Sequence, residues 1–81
     1  FKPKFDYICI DLWDGGKVCD FVFDVEFTVR IKEMATGLVS LNIKAEDLPR
    51  CKPYFDYAFN FDRSVPVEGN QIIWWSVPTK K

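Results

Sequence analysis

Residues 17–32, KVCDFVFDVEFTVRIK, carry the longest alternating pattern in the chain and decide the fold that the sequence predicts. One parity of this stretch is apolar throughout: Cys19, Phe21, Phe23, Val25, Phe27, Val29 and Ile31. Polar residues hold most of the other parity. A strand with one buried face repeats every two residues, whereas a helix repeats about every 3.6 residues. The stretch is therefore predicted to be β-structure.

This stretch is too long to form one straight strand within so small a domain. Sixteen extended residues would span about 53 Å, whereas a domain of 81 residues is only about 30 Å across. The predicted break is at Asp24, Val25 and Glu26, which separate two apolar clusters. It leaves two strands, at residues 17–24 and 27–34.

Alternating or β-rich segments elsewhere in the chain complete the predicted fold. They are separated by turn-forming residues such as Asp14-Gly15-Gly16, Gly37 and Gly69. The predicted strands are residues 5–13, 17–24, 27–34, 38–46, 53–61 and 71–77. Residues 63–67 contain Pro66 and are interpreted as a loop or bent edge.

These strands predict an all-β fold, an antiparallel sandwich or small barrel, in one domain that spans residues 1–81. Residues 78–81 are expected to form a solvated tail. In the strand at 53–61, one parity is predicted to face the core: Phe55, Tyr57, Phe59 and Phe61. Trp74 and Trp75 must face opposite sides of the last strand, so that one is core and the other a candidate binding anchor.

Composition narrows the possible functions. Eleven Lys and Arg against twelve Asp and Glu give a formal net charge of −1, and there is no His. The near-neutral charge argues against nucleic-acid binding, and the lack of His removes His-based catalysis and most zinc sites. The Asp residues form no calcium-binding loop, and no apolar run approaches the ~20 residues of a membrane span. We expect no enzyme activity, no cofactor, no metal and no membrane partner.

Three cysteines, Cys9, Cys19 and Cys51, permit one disulfide and one free thiol. Domains this small often need a covalent link, because their cores contribute little net stability. The sequence alone leaves all three pairings open.

The segment from Cys9 to Cys51 resembles the fungal MAX effector family. It contains a short strand with Cys9, an Asp-Gly turn, two strands, a glycine turn and a charged strand that ends in NIKAEDLPRC. The resemblance covers roughly residues 7–52. It implies a six-stranded antiparallel β-sandwich of two three-stranded sheets, tied by a Cys9–Cys51 disulfide. Cys19 is then expected to be a free buried thiol.

The resemblance also implies a function. It implies a secreted, monomeric effector that binds a host plant protein, such as a heavy-metal-associated domain, and that acts within the host cell in some members. Binding would use a strand edge, where backbone groups supply affinity. We expect that edge in residues 17–34, where the outward charges change from acidic to basic. The predicted partner contacts are Asp20, Val22, Asp24, Glu26, Arg30 and Lys32.

Two other interpretations stand beside the effector. The first is an extracellular toxin or an inhibitor-like secreted β-domain. The second is a cytosolic β-domain, unrelated to effectors, whose thiols are reduced.

Overall fold

The computed structural model describes residues 3–78 and shows a mixed α/β fold of two layers, not a β-sandwich. The regular elements are β1 (Phe5–Ile10), β2 (Trp13–Asp14), β3 (Lys17–Val18), α1 (Val25–Met34), β4 (Ala35–Lys44), α2 (Lys52–Ala58), β5 (Asn60–Val67) and β6 (Asn70–Ser76). Two 3-10 helices, Asp20–Phe23 and Ala45–Arg50, precede α1 and α2.

Four of the strands form one sheet, in the order β1-β4-β6-β5. β1 runs parallel to β4, and the other two pairs are antiparallel. Parallel neighbours need a crossover connection, and here residues 11–34 supply it, with α1 at its end. β2 and β3 form a separate small hairpin.

The core lies between the sheet and the two helices. Alternate residues of β4 and β6 are buried on this side: Val39, Leu41, Ile43, Ile73 and Trp75. The helices contribute Ile31 from α1 and Phe55 from α2 to the same cluster. The Phe55 ring stacks on Trp75, with 4.7 Å between centroids. Both helices therefore cover the same face of the sheet.

The opposite side of the sheet, here called the uncovered face, presents Tyr7, Leu38, Ser40, Val65, Ile72 and Trp74. Most of these side chains are partly or fully exposed, although Ser40 is buried. The Tyr7 and Ser40 hydroxyl oxygens are 2.7 Å apart. The Arg63 guanidinium lies over Trp74, 4.8 Å from the ring centroid. Trp75 is therefore core, and Trp74 is the partly exposed member of the pair.

Half of the predicted strands were wrong. Strands do form within residues 5–13, 38–46 and 71–77, but residues 17–24 contain only β3 and a 3-10 helix, 27–34 belongs to α1, and 53–61 is mostly α2. Residues 63–67, interpreted as a loop or bent edge, belong to β5 (Asn60–Val67).

The pattern of α1 explains its misassignment. Phe27 and Ile31 share a parity, but they are also four residues apart and so share one face of a helix. Val25 and Val29 are four apart as well, on another face of α1. An alternation of apolar and polar residues therefore satisfied both periods over this short length.

The Cys9–Cys51 disulfide was also wrong, since all three cysteines are free. Cys9 pairs with Ser40 and lies exposed on the outer side of the sheet, whereas Cys51 is fully buried beside α2. The sheet separates the two sulfur atoms. Cys19 is free as expected, but only partly buried.

A candidate protein-binding groove between the two helices

The six residues predicted to contact a partner do not share a strand edge. Val22 is completely buried in the first 3-10 helix, where Asp20 is exposed. The rest lie at the start of α1 or along it: Asp24, Glu26, Arg30 and Lys32. Because residues 25–34 are helical, the predicted acidic-to-basic row winds around a helix instead of following an edge.

Lys32 is the member of this set that reaches a concave surface. Its Nζ donates a hydrogen bond of 3.0 Å to the carbonyl oxygen of Ala58 in α2. The same ammonium lies 5.7 Å from the centroid of the Phe59 ring. Lys32 therefore links the two helices at the rim of the space between them.

That space, the α1/α2 groove, has a volume of about 730 Å³. Its walls are built mainly from apolar side chains of both helices: Val25, Thr28, Val29, Lys32 and Glu33 from α1, and Pro53, Tyr54, Tyr57 and Ala58 from α2.

The helical period creates these walls. In α2, Phe55 points into the core and Phe59 follows it four residues later, so Tyr54 and Tyr57 must lie on other faces. Pro53 is in the first turn, where its missing N–H breaks no helical hydrogen bond. In α1, Val25 and Val29 stack one turn apart.

The walls are much more exposed than the walls of an enclosed cavity. Val25 is 54% exposed, Val29 51% and Tyr57 95%. An open, apolar groove between two helices is a surface of the kind that receives a helical segment of another protein.

Thr28 forms a buried part of the groove wall and is only 3% exposed. Its hydroxyl oxygen is buried and has no hydrogen-bond partner within residues 3–78. A buried polar group left without a partner costs about 1–3 kcal/mol. Thr28 is thus a wall residue whose buried hydroxyl has no hydrogen-bond partner within residues 3–78.

The structure places a buried thiol, that of Cys51, directly before α2. Burial raises the pKa of the Cys51 thiol to about 11, an effect that Arg50 partly offsets and Asp47 reinforces. This thiol is therefore protonated at neutral pH and is not an activated nucleophile.

Within residues 3–78, no three His, Cys, Asp or Glu side chains come together as metal ligands. The described helices include none that is both long and apolar enough to cross a membrane.

No protein-family model, curated protein or solved structure matches the chain. Membership of the MAX effector family therefore stays a prediction. The sandwich and the disulfide that the resemblance implies do not form.

One signal in the sequence could have located the groove. Cys51, Phe55 and Phe59 recur every four residues, which is the period of a helix. With α2 assigned in this way, Tyr54 and Tyr57 become surface residues.

Proposed function

We propose that this protein is a non-catalytic protein-binding module that receives an amphipathic helical segment of a partner protein in the α1/α2 groove. The observation that carries the proposal is the pair of apolar, half-exposed helix walls that enclose this groove. Binding through helix-in-groove contacts needs such walls and no catalytic group.

The dimensions of the groove favour a helix as the occupant. α1 has ten residues and is therefore about 15 Å long. A third helix packs against two others at an interaxial distance of about 8–10 Å, with its side chains between theirs. Apolar anchors at positions i, i+4 and i+7 of the segment would meet Val25, Val29 and Tyr54.

Tyr57 supplies the strongest candidate anchor. Exposed tyrosines are enriched among the residues that dominate binding energy, because the ring buries a large area at a small entropic cost. At 95% exposure, this ring contributes almost nothing to the core, so its whole apolar area is available to a partner.

The effector role stays a prediction that rests on the resemblance. Secretion, a host plant partner and a heavy-metal-associated domain would all be compatible with a binding module. Within residues 17–34 the only strand is β3 (Lys17–Val18), and none of the six predicted contacts lies in it, so such a partner would have to use another surface. The inhibitor-like and cytosolic interpretations also describe non-catalytic binding and differ from the effector in compartment.

The test is titration of the ¹⁵N-labelled protein with a designed amphipathic peptide of about 16 residues, with leucines at i, i+3, i+4 and i+7. The control peptide has the same composition in scrambled order. We expect amide shifts confined to α1 and α2, and their loss in Val29→Glu. The matched variant Val65→Glu, at a 40% exposed position of the uncovered face, should bind normally.

Three results would contradict the proposal. They are equal binding of the scrambled peptide, shifts centred on the uncovered face, and no shifts at millimolar peptide.

A further inference from the structure

We propose that the helical segment bound in the α1/α2 groove belongs to a second copy of this chain, in a twofold-symmetric dimer. In this dimer, Tyr57 of each copy enters the groove of the other, so that α2 is both wall and occupant. The inference rests on the proposed function, because it names the partner of the same groove. It replaces the monomer expected from the sequence.

Shape is the first argument for a second copy. A twofold interface uses the same patch on both subunits, so that patch must carry both a protrusion and a matching cavity. The α1/α2 groove meets this requirement within one surface. Tyr57 protrudes at 95% exposure and borders the same concave space of about 730 Å³.

Charge is the second argument. Lys32 and Glu33 are adjacent in sequence and both line the groove, so the patch is close to neutral. A twofold axis can bring Lys32 of one copy towards Glu33 of the other, and then the reverse contact forms as well. The Lys32 ammonium gives one hydrogen bond to Ala58 and has two further N–H donors. Two chains with a net charge of −1 also repel each other little.

The surface area that the dimer is expected to bury is small. Two inserted tyrosines bury about 300–500 Å² between them, and the walls that they meet bury a similar area. The total is about 600–1,000 Å², which reaches the ~1,000 Å² at which specific interfaces begin only at its upper limit. We therefore expect a dimer that dissociates on dilution.

Sedimentation velocity over a wide range of protein concentration tests the inference. The intact protein should change reversibly from monomer to dimer. Tyr57→Ala should raise the dissociation constant by at least about tenfold, as expected for a central anchor. Val65→Glu on the uncovered face is the matched control and should leave the dissociation constant unchanged.

The outcomes separate this inference from the proposed function. A monomer at every concentration overturns the dimer, while binding of the amphipathic peptide would still support the module. A dimer that Val65→Glu disrupts and Tyr57→Ala does not would overturn the inference, because the uncovered face would then be the interface. Displacement of the dimer by the amphipathic peptide would support both.

Discussion

The indole N–H of Trp75 donates a hydrogen bond of 2.9 Å to a carboxylate oxygen of Asp56. The other oxygen of Asp56 accepts a hydrogen bond of 2.6 Å from Lys52, one turn earlier in α2. Phe55, which lies between Lys52 and Asp56 in the sequence, stacks on the Trp75 ring. These contacts hold α2 against β6, and they therefore fix the position of one wall of the groove.

Replacing Asp56 by Ala should destabilise the fold by about 1–3 kcal/mol, because the indole N–H would lose its acceptor in a largely buried position. Asp56→Asn keeps an acceptor oxygen and should cost less. Urea denaturation of both variants measures the difference. The control is Lys52→Ala, which removes a partly exposed ion pair and the contact of its ammonium with the Phe61 ring, and it should cost about 1 kcal/mol or less. Equal stabilities of the Ala and Asn variants would show that the hydrogen bond contributes nothing.

Phe55→Ala and Tyr57→Ala should differ sharply in stability. Phe55 is completely buried, and its truncation should cost about 3–5 kcal/mol. Tyr57 is 95% exposed, and in dilute monomer its truncation should cost less than about 0.5 kcal/mol. A strand over residues 53–61 would put both rings on the same side, so similar losses would contradict the helix. Chemical denaturation of the two variants decides between these structures.

The sequence was sufficient for the central strands and insufficient for the helices. Val39, Leu41 and Ile43 alternate with the polar residues between and after them, and a helix would divide these three apolar side chains between opposite sides. α2 has only seven residues, so Phe55 and Phe59 could be assigned to either period. The helix was not predicted because it is short, not because its composition is unusual.

The groove itself could not be predicted from local pattern. Its walls come from segments about 25 residues apart, and they meet only because α1 and α2 pack on the same face of the sheet. The strand interpretation also placed Tyr57 in the core with Phe55. Exposure of Tyr57 follows only once the helical period is known.

Gly37→Ala should disrupt the pairing of β1 with β4. A Cβ at Gly37 would overlap the backbone carbonyl oxygen of Asp6, next to the irregular register between Phe5 and Tyr7. Backbone cannot move aside as a flexible side chain can, so we expect a loss of at least about 2 kcal/mol, as for an overpacked core site. Hydrogen exchange of β1 amides and urea denaturation measure it.

Gly15→Ala is the matched control for Gly37→Ala. Gly15 has a φ of 59° but open space around it, so the cost should be only the ~1–2 kcal/mol of a left-handed backbone. β1 should keep its protection from exchange in this variant. Loss of β1 protection in both variants would show that the close approach to Asp6 is not the cause.

The buried thiol of Cys51 should make stability fall at alkaline pH. Burial raises its pKa from an ordinary value of 9.0 to about 11. Between these values the unfolded chain loses the thiol proton while the folded chain keeps it, so folding becomes less favourable as pH rises. The contribution of the neutral thiol is fully present below the ordinary pKa of 9.0 and is lost as pH rises through about 11.

Cys51→Ala separates this effect from the titration of other groups. The variant should be less stable than the parent at pH 7, because a side chain is lost from the core, but its stability should fall less steeply from pH 8 to pH 10. Cys9→Ala, at an exposed position, should keep the slope of the parent. Urea denaturation at several pH values under reducing conditions gives the three slopes. Parallel curves for the parent and Cys51→Ala would show that the folded chain ionises Cys51 as readily as the unfolded chain does.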